Sequence, residues 1–154
     1  MDKEQYGFRP RCSTTSALVD IDYNVRKERD RKSTKAVCLI TFDFSKAFNK
    51  LDYSLLISKL MRHPVEKGEL SIPDHIVRWL MSFLTNRKQK VRVEDACSKE
   101  KMITSGMPQG SLLGLYLFNV FVSDLKCICK NSRMVKYADD TSIIFTICYE
   151  DDLV

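Results

Sequence analysis

The sequence predicts an α+β fold, a small antiparallel sheet packed on helices, and three observations carry that expectation. The run Ala36-Val37-Cys38-Leu39-Ile40-Thr41-Phe42-Asp43-Phe44 is almost continuously apolar, as a strand buried on both faces would be. Near the C-terminal end, Met134-Val135 and Ser142-Ile143-Ile144-Phe145-Thr146-Ile147 flank Lys136-Tyr137-Ala138-Asp139-Asp140-Thr141. Two β-prone runs therefore meet as a hairpin with Asp139 and Asp140 at its tip. Between these strands lie apolar stripes at helical period.

Taken in order, Glu4-Gln5-Tyr6-Gly7-Phe8-Arg9-Pro10-Arg11 is turn-rich and basic. Ser13 or Thr14 then caps a helix with Ala17, Leu18, Ile21 and Val25 on one face. The charge run Arg26-Lys27-Glu28-Arg29-Asp30-Arg31-Lys32 reads as its solvated end. After the first strand, a helix over 53–61 carries Leu56 and Leu60. A second helix over 74–86 carries Ile76, Trp79, Leu80, Phe83 and Leu84, and both stripes are core faces. Pro64 and Gly68 separate the two, and Ser71-Ile72-Pro73-Asp74 opens the second. The runs 90–94 and 101–104 flank a polar turn, and alternation in the first predicts a half-exposed hairpin with Lys90 and Arg92 outward. Gly106-Met107-Pro108-Gln109-Gly110-Ser111 reads as a rigid loop where backbone can approach a ligand closely, though a lone Gly-rich turn is weak evidence for phosphate binding. It leads into a helix with Leu113, Leu117, Phe121 and Leu125 stacked four apart.

Composition bounds the function classes. A chain of 154 residues, 44% hydrophobic and 29% charged, suits one globular domain with its own core. Five Gly and four Pro exclude a low-complexity chain, and a net charge of +5 permits a polyanionic partner. The six cysteines (Cys12, Cys38, Cys97, Cys127, Cys129, Cys148) are expected as reduced thiols in an intracellular protein, with Cys38 and Cys148 buried in strands. Cys127-x-Cys129 has the wrong spacing for zinc, and His63 and His75, beside probable helix boundaries, read as structural or surface residues. The longest apolar stretch, 112–122, is too short to span a membrane.

Two features bear on chemistry. An ionised Asp43 between two phenylalanines of a buried strand needs a cation or hydrogen-bond donors; a helix cap or a salt bridge with Lys46 satisfies it equally well. Asp139 and Asp140 serve as plain turn residues, or repel one another until a divalent cation relieves them. Two-metal phosphoryl transfer needs carboxylates from separate elements that converge on ions about 3.5–4 Å apart, and Asp43 with Asp139 and Asp140 supplies such a set.

Several blocks then carry a specific resemblance. Phe42-Asp43-Phe44-Ser45-Lys46-Ala47-Phe48, Gly106-Met107-Pro108-Gln109-Gly110-Ser111-Leu112-Leu113-Gly114, Leu117-Phe118-Asn119 and Tyr137-Ala138-Asp139-Asp140 follow one another in family order. Gln5-Tyr6-Gly7-Phe8-Arg9 with Ser13-Thr14, and the block from Trp79 to Val91, extend the match over nearly the whole chain. Together they resemble the reverse transcriptase of a non-LTR retrotransposon of the LINE or jockey-like kind.

The resemblance implies a right-hand polymerase architecture, with residues from about 1 to 35 in a partial fingers region and about 36 to 154 mainly palm. The thumb, the remaining fingers and an endonuclease region would belong to the rest of a parent polyprotein. It implies an RNA-directed DNA polymerase, with Asp43, Asp139, Asp140 and the Phe44 carbonyl around two Mg²⁺ ions, for which Mn²⁺ can substitute. RNA template, DNA primer and dNTPs are the implied partners. Phe48 would reject a ribose 2′-hydroxyl, Gln109 would line the nucleotide pocket, Ala138 would leave room at the primer end, and Arg9 would face template or nucleotide. The chain departs from the pattern at Asn49, where relatives carry Asp, and at Leu115, where they carry Pro. Those departures support the competing expectation of a catalytically silent remnant or nucleic-acid-binding scaffold. A nucleotidyl cyclase, the other palm-fold alternative, is disfavoured by the Phe-Asp-Phe-Ser-Lys-Ala-Phe and Pro-Gln-Gly blocks.

Overall fold

A computed structural model describes residues 2–62 and 72–149. The chain divides into two compact units, Met1–Ser45 with Val122–Val154, and Lys46–Phe121. His63, Pro64, Gly68 and Ser71, singled out above, lie outside the described residues.

The first unit is built on a three-stranded antiparallel sheet of β1 (Thr34–Phe42), β6 (Ser132–Tyr137) and β7 (Asp140–Cys148), in the order β1-β7-β6. The register pairs Phe42 with Thr141 and Cys38 with Phe145 on one side of β7, and Met134 with Ile143 on the other. A helix, α1 (Thr14–Arg29), contacts all three strands. Ser13 is its N-cap, with Ser16 completing a capping box, so the Ser13 option holds. Its last turn carries Arg26, Lys27 and Arg29, cations placed where the helix dipole favours them.

The face α1 buries keeps only part of the apolar row its sequence suggested, with Ile21 and Val25 half-buried. Ala17 and Asn24 are buried, whereas Leu18 is exposed. The opposing strands explain this, because they present polar groups: Arg133 pairs with Asp20 at 3.1 Å and Thr146 Oγ1 donates to Glu28 Oε2 at 3.5 Å. Strand β1 also departs from expectation. It pairs only with β7 among the described residues, and Cys38, Leu39, Ile40 and Phe42 are exposed. An edge strand has one neighbour, so apolar composition alone did not bury it. All six cysteines are free thiols, but Cys38 is exposed and Cys148 only half-buried, correcting the expectation of buried strand thiols.

Lys136, the last of three consecutive buried residues of β6, is fully buried. Its ammonium meets Asp2 Oδ2 at 2.5 Å and donates to the Val122 and Leu125 carbonyls at 3.2 and 2.8 Å. A charge taken out of water persists only with such partners. Outside β6, the segment from Glu4 to Tyr6 adds a parallel bridge: Lys136 N donates to Glu4 O and Tyr6 N donates to Lys136 O, both at 2.7 Å.

Among the described residues, the second unit contains α2 (Tyr53–Arg62), α3 (Asp74–Leu84) and α4 (Leu112–Phe121) with four two-residue strands. Helix α2 buries Tyr53, Leu56 and Leu60, the row its periodicity predicts. Helix α3 buries Val77, Leu80 and Leu84, while Ile76 is exposed and Trp79 is 56% exposed. Its apolar stripe is wider than the row its neighbour covers, and Trp79 stacks on Phe83 along the outer row at 5.8 Å. His75 is exposed on the first turn of α3. Helix α4 buries Gly114, Leu117, Phe118 and Val120 and ends at Phe121, so Leu125 lies beyond it and the expected fourfold stack stops short.

The predicted hairpin is two nested ladders. β2 (Lys88–Gln89) pairs with β5 (Lys101–Met102), and β3 (Arg92–Val93) pairs with β4 (Ala96–Cys97). Val91 and Val93 are exposed along with Lys90 and Arg92, so neither face is covered, contrary to the half-buried reading. Among the described residues, no helix is long and apolar enough to cross a membrane.

Candidate functional site

The β6–β7 hairpin closes at the Tyr137–Asp140 pair, which leaves Ala138 and Asp139 as its two loop residues. Asp139 therefore sits at the bend, and Asp140 is already the first residue of β7. The backbone departs from expectation in one respect. The left-handed position is taken by Ala138, at φ 57°, rather than by either aspartate. An L-residue with a Cβ pays about 1 kcal/mol or more for that conformation, so something nearby must hold it.

Gln5 holds it. The side chain is buried, and its Oε1 accepts from Ala138 N at 2.9 Å and from Gly7 N at 2.7 Å. Its Nε2 donates to Ala138 O at 3.1 Å. Gly7 packs so tightly on the bend that a Cβ there would lie 2.2 Å from Ala138 N. Neither residue was assigned a role from sequence alone; the one available signal was a glycine between aromatic residues in a turn-rich segment, where backbone often approaches backbone. Arg9 Nη1 donates to the carbonyls of Asp2 and Gln5 at 2.8 and 2.9 Å, which ties this guanidinium nitrogen to the loop that carries Gln5.

Asp43 follows the last paired residue of β1. Because Phe42 pairs with Thr141, extending that antiparallel register by one residue sets Asp43 beside Asp140. Both line a cavity of about 430 Å³, together with Ala17 and Ile21 of α1 and with Tyr137. Asp43 and Asp140 are exposed and Asp139 is half-buried. The burial expected to force Asp43 onto a cation is therefore absent; an exposed carboxylate is stable in water unaided. Among the described residues, no three His, Cys, Asp or Glu side chains converge tightly enough to hold a metal ion. The donor chemistry still fits a hard divalent cation: carboxylate oxygens at the end of β1 and at the β6–β7 bend, open to solvent, with room for retained waters.

The second unit builds its own polar patch. Its two loops, 48–53 and 105–109, are zipped together: Met107 N donates to Phe48 O at 2.7 Å and Gly106 N donates to Leu51 O at 2.9 Å. Tyr53 Oη donates to Gly106 O at 2.6 Å. Gly106 takes φ 89°, and a Cβ there would lie 2.8 Å from Asn49 O, so the glycine is needed for both conformation and approach. This zipper sets Gln109 Nε2 3.3 Å from its acceptor Asn49 Oδ1. Phe48 stacks on Phe118 with ring centroids 4.2 Å apart. Phe48 and Gln109, assigned separately from sequence, thus belong to one assembly.

Asp43, just past the end of β1, and Asp140, the first residue of β7, line one cavity, with Asp139 next to Asp140 at the hairpin bend. A family model described as reverse transcriptase (RNA-dependent DNA polymerase) matches residues 1–153, and the chain belongs to this family. It is 29% identical over 150 residues to "Probable RNA-directed DNA polymerase from transposon BS" of Drosophila melanogaster, covering 92% of this chain. It is 28% identical over 149 residues to "RNA-directed DNA polymerase from mobile element jockey" of the same species, again covering 92%. The chain spans 15% of the length of each of these relatives. The jockey-like resemblance carried by the sequence blocks is thus shown.

Proposed function

We propose that this chain is the palm, with part of the fingers, of an RNA-directed DNA polymerase that extends a primer 3′-hydroxyl with dNTPs on an RNA template. The single observation that supports this most is the β1–β7 register, with Phe42 opposite Thr141; continued by one residue, it would set Asp43 beside Asp140, next to Asp139 at the bend. In this reading Asp43, Asp139 and Asp140, with the Phe44 carbonyl, hold two Mg²⁺ ions. Such ions supply, when bound, a lower pKa for the attacking hydroxyl and charge neutralisation on the triphosphate and the departing pyrophosphate.

The chain's own groups do the positioning. Ala138, with a single methyl, leaves space for the primer terminus beside the carboxylates. Phe48, fixed by its stack on Phe118, offers a rigid ring that excludes a 2′-hydroxyl and so favours deoxynucleotides. Gln109 lines the nucleotide pocket, and Arg9 faces template or nucleotide through its remaining guanidinium nitrogens. Duplex affinity comes mainly from phosphate neutralisation, so the parent polypeptide's thumb is required for tight primer-template binding.

Primer extension with Mg²⁺, dNTPs and an RNA template, run on this chain joined to a thumb, tests the reading. Wild type should extend, and Asp139→Asn or Asp43→Asn should reduce extension by orders of magnitude. Equal synthesis by either variant would defeat the metal-ligand assignment. A silent remnant is the competing reading, and its support is the pair of departures at Asn49 and Leu115. The Gln109–Asn49 bond weighs against it, because an amide oxygen accepts there as a carboxylate would.

A further inference from the structure

We infer that Gln5 is a positioning residue for the carboxylate hairpin, acting through Ala138. This rests on the reading of Asp139 and Asp140 as the reacting carboxylates, and it extends that reading to a residue 133 positions in sequence from Ala138. The side chain is 1% exposed and makes three hydrogen bonds. Two engage both polar backbone atoms of Ala138, and the third fixes Gly7, whose backbone lies against the same peptide. A buried amide could satisfy itself at many sites; this one is spent wholly on the residue at φ 57° and on its immediate support.

The geometry explains why such a clamp is needed. N and O of the buried Ala138 belong to a two-residue loop beyond the Tyr137–Asp140 pair, where the strand ladder does not satisfy them. Left to water, an alanine would relax from the left-handed region, and Asp139 would swing with it. Asp139 follows Ala138 directly, so a rotation of tens of degrees at Ala138 displaces its carboxylate by ångströms relative to Asp43 and Asp140. Catalysis is sensitive to displacements of that size: about 1 Å of misplacement costs about a hundredfold. The parallel bridge of Gln5 with Lys136 sets the clamp's base on the strand that carries the bend, so the clamp and the hairpin move together.

Two measurements separate this inference from the reading on which it rests. In the 154-residue chain, Gln5→Met keeps the side-chain volume but removes all three bonds. Amide exchange at Ala138 should become about tenfold faster, as loss of a net hydrogen bond implies. Exchange at Leu56, bonded to Asp52 O in the other unit, should not change. In the chain joined to a thumb, single-nucleotide incorporation by Gln5→Met should lose kcat at least tenfold with KM for dNTP nearly constant. Adding Ala138→Gly, which adopts φ 57° without strain, should recover part of that kcat. A merely structural glutamine would not be rescued by a glycine at the bend. Unchanged exchange at Ala138, or lost kcat that the glycine does not recover, overturns the inference. Absence of synthesis by the wild-type fusion instead defeats the polymerase reading, while exchange still reports on the clamp. Should Gln5→Met not fold, the wild-type Gln5 Nε2 protons decide: they should exchange far more slowly than those of exposed Gln89, and equal rates overturn the clamp.

Discussion

The Lys136 ammonium sits 2.5 Å from Asp2 Oδ2, with both side chains at most 5% exposed. Lys126 approaches the other oxygen, Oδ1, at 2.9 Å. Removing one partner of a buried pair leaves an uncompensated charge, at about 3–5 kcal/mol. Asp2→Asn should therefore lower thermal stability strongly, and Lys136→Met less so, because it leaves Asp2 still paired with Lys126. Combining both changes should cost less than their sum in a double-mutant cycle. Strict additivity would mean that the two groups do not act as a pair.

Acid should act through the same carboxylate. Burial raises the Asp2 pKa, but hydrogen bonds from Lys136, Lys126 and the Glu4 amide outweigh it, so the net value falls below the ordinary 3.8. A depressed carboxylate contributes stability that is fully present above the unfolded pKa and is lost as pH falls through the folded one. Stability should thus decline below about pH 4, and the decline should shrink in Asp2→Asn. Denaturant melts of both proteins across pH 2–6 check this; parallel curves would remove Asp2 from the account.

Gly7 and Gly110 make a matched pair for testing close approach against conformation. A Cβ at Gly7 would meet Ala138 N at 2.2 Å, whereas one at Gly110 meets nothing within 4 Å and is disfavoured only by φ 80°. Gly7→Ala should cost about 3 kcal/mol or more, with chemical-shift changes centred on 137–140. Gly110→Ala should cost about 1 kcal/mol. Similar costs for the two would mean that the contact at Ala138 relaxes freely.

How much of this was legible in the sequence varies by element. The Ser13 cap and the Leu56–Leu60 row follow from local rules: the cap is closed by Ser16 of the same helix, and the row is covered by α3 and α4. The antiparallel pairing of β1 with β7 was not legible from local rules, since nothing local relates residues about a hundred positions apart. Burial was less legible. Trp79 and Val77 both belong to the apolar arc of α3, and the neighbouring element, not the helix, selects which row is covered. Leu39 and Ile40 look like core, but their strand lies at a sheet edge. Gln5 was invisible because its three bonds depend on the strained bend that it supports.

Asn49 departs from the family pattern without breaking its surroundings. Its Oδ1 accepts from Gln109 Nε2 at 3.3 Å on an exposed surface, and its main-chain oxygen packs near Gly106. An aspartate presents the same acceptor and would shorten the bond through charge. Asn49→Asp should therefore leave stability within about 0.5 kcal/mol and leave extension at or above the starting level. A marked loss of either would show that the amide nitrogen has a use of its own.

Phe48 supports the sharpest test of nucleotide selection. Its ring stacks on Phe118 at 4.2 Å with planes 24° apart, and its carbonyl accepts from Met107 N, so both ring and backbone are fixed. Such a ring can discriminate by exclusion, because moving it would break the stack, worth about 0.5–1.5 kcal/mol. Phe48→Val keeps an apolar side chain but withdraws the ring; the main-chain bond to Met107 is unaffected. In the thumb-bearing polypeptide, the ratio of ribonucleotide to deoxynucleotide incorporation should rise about tenfold or more, which corresponds to 1.4 kcal/mol of lost discrimination. Deoxynucleotide incorporation should fall less than ribonucleotide incorporation rises. Phe118→Leu should give a weaker rise in the same direction, since it loosens the ring without removing it. Unchanged sugar selectivity in Phe48→Val would remove Phe48 from the selecting role, whatever the effect on overall rate.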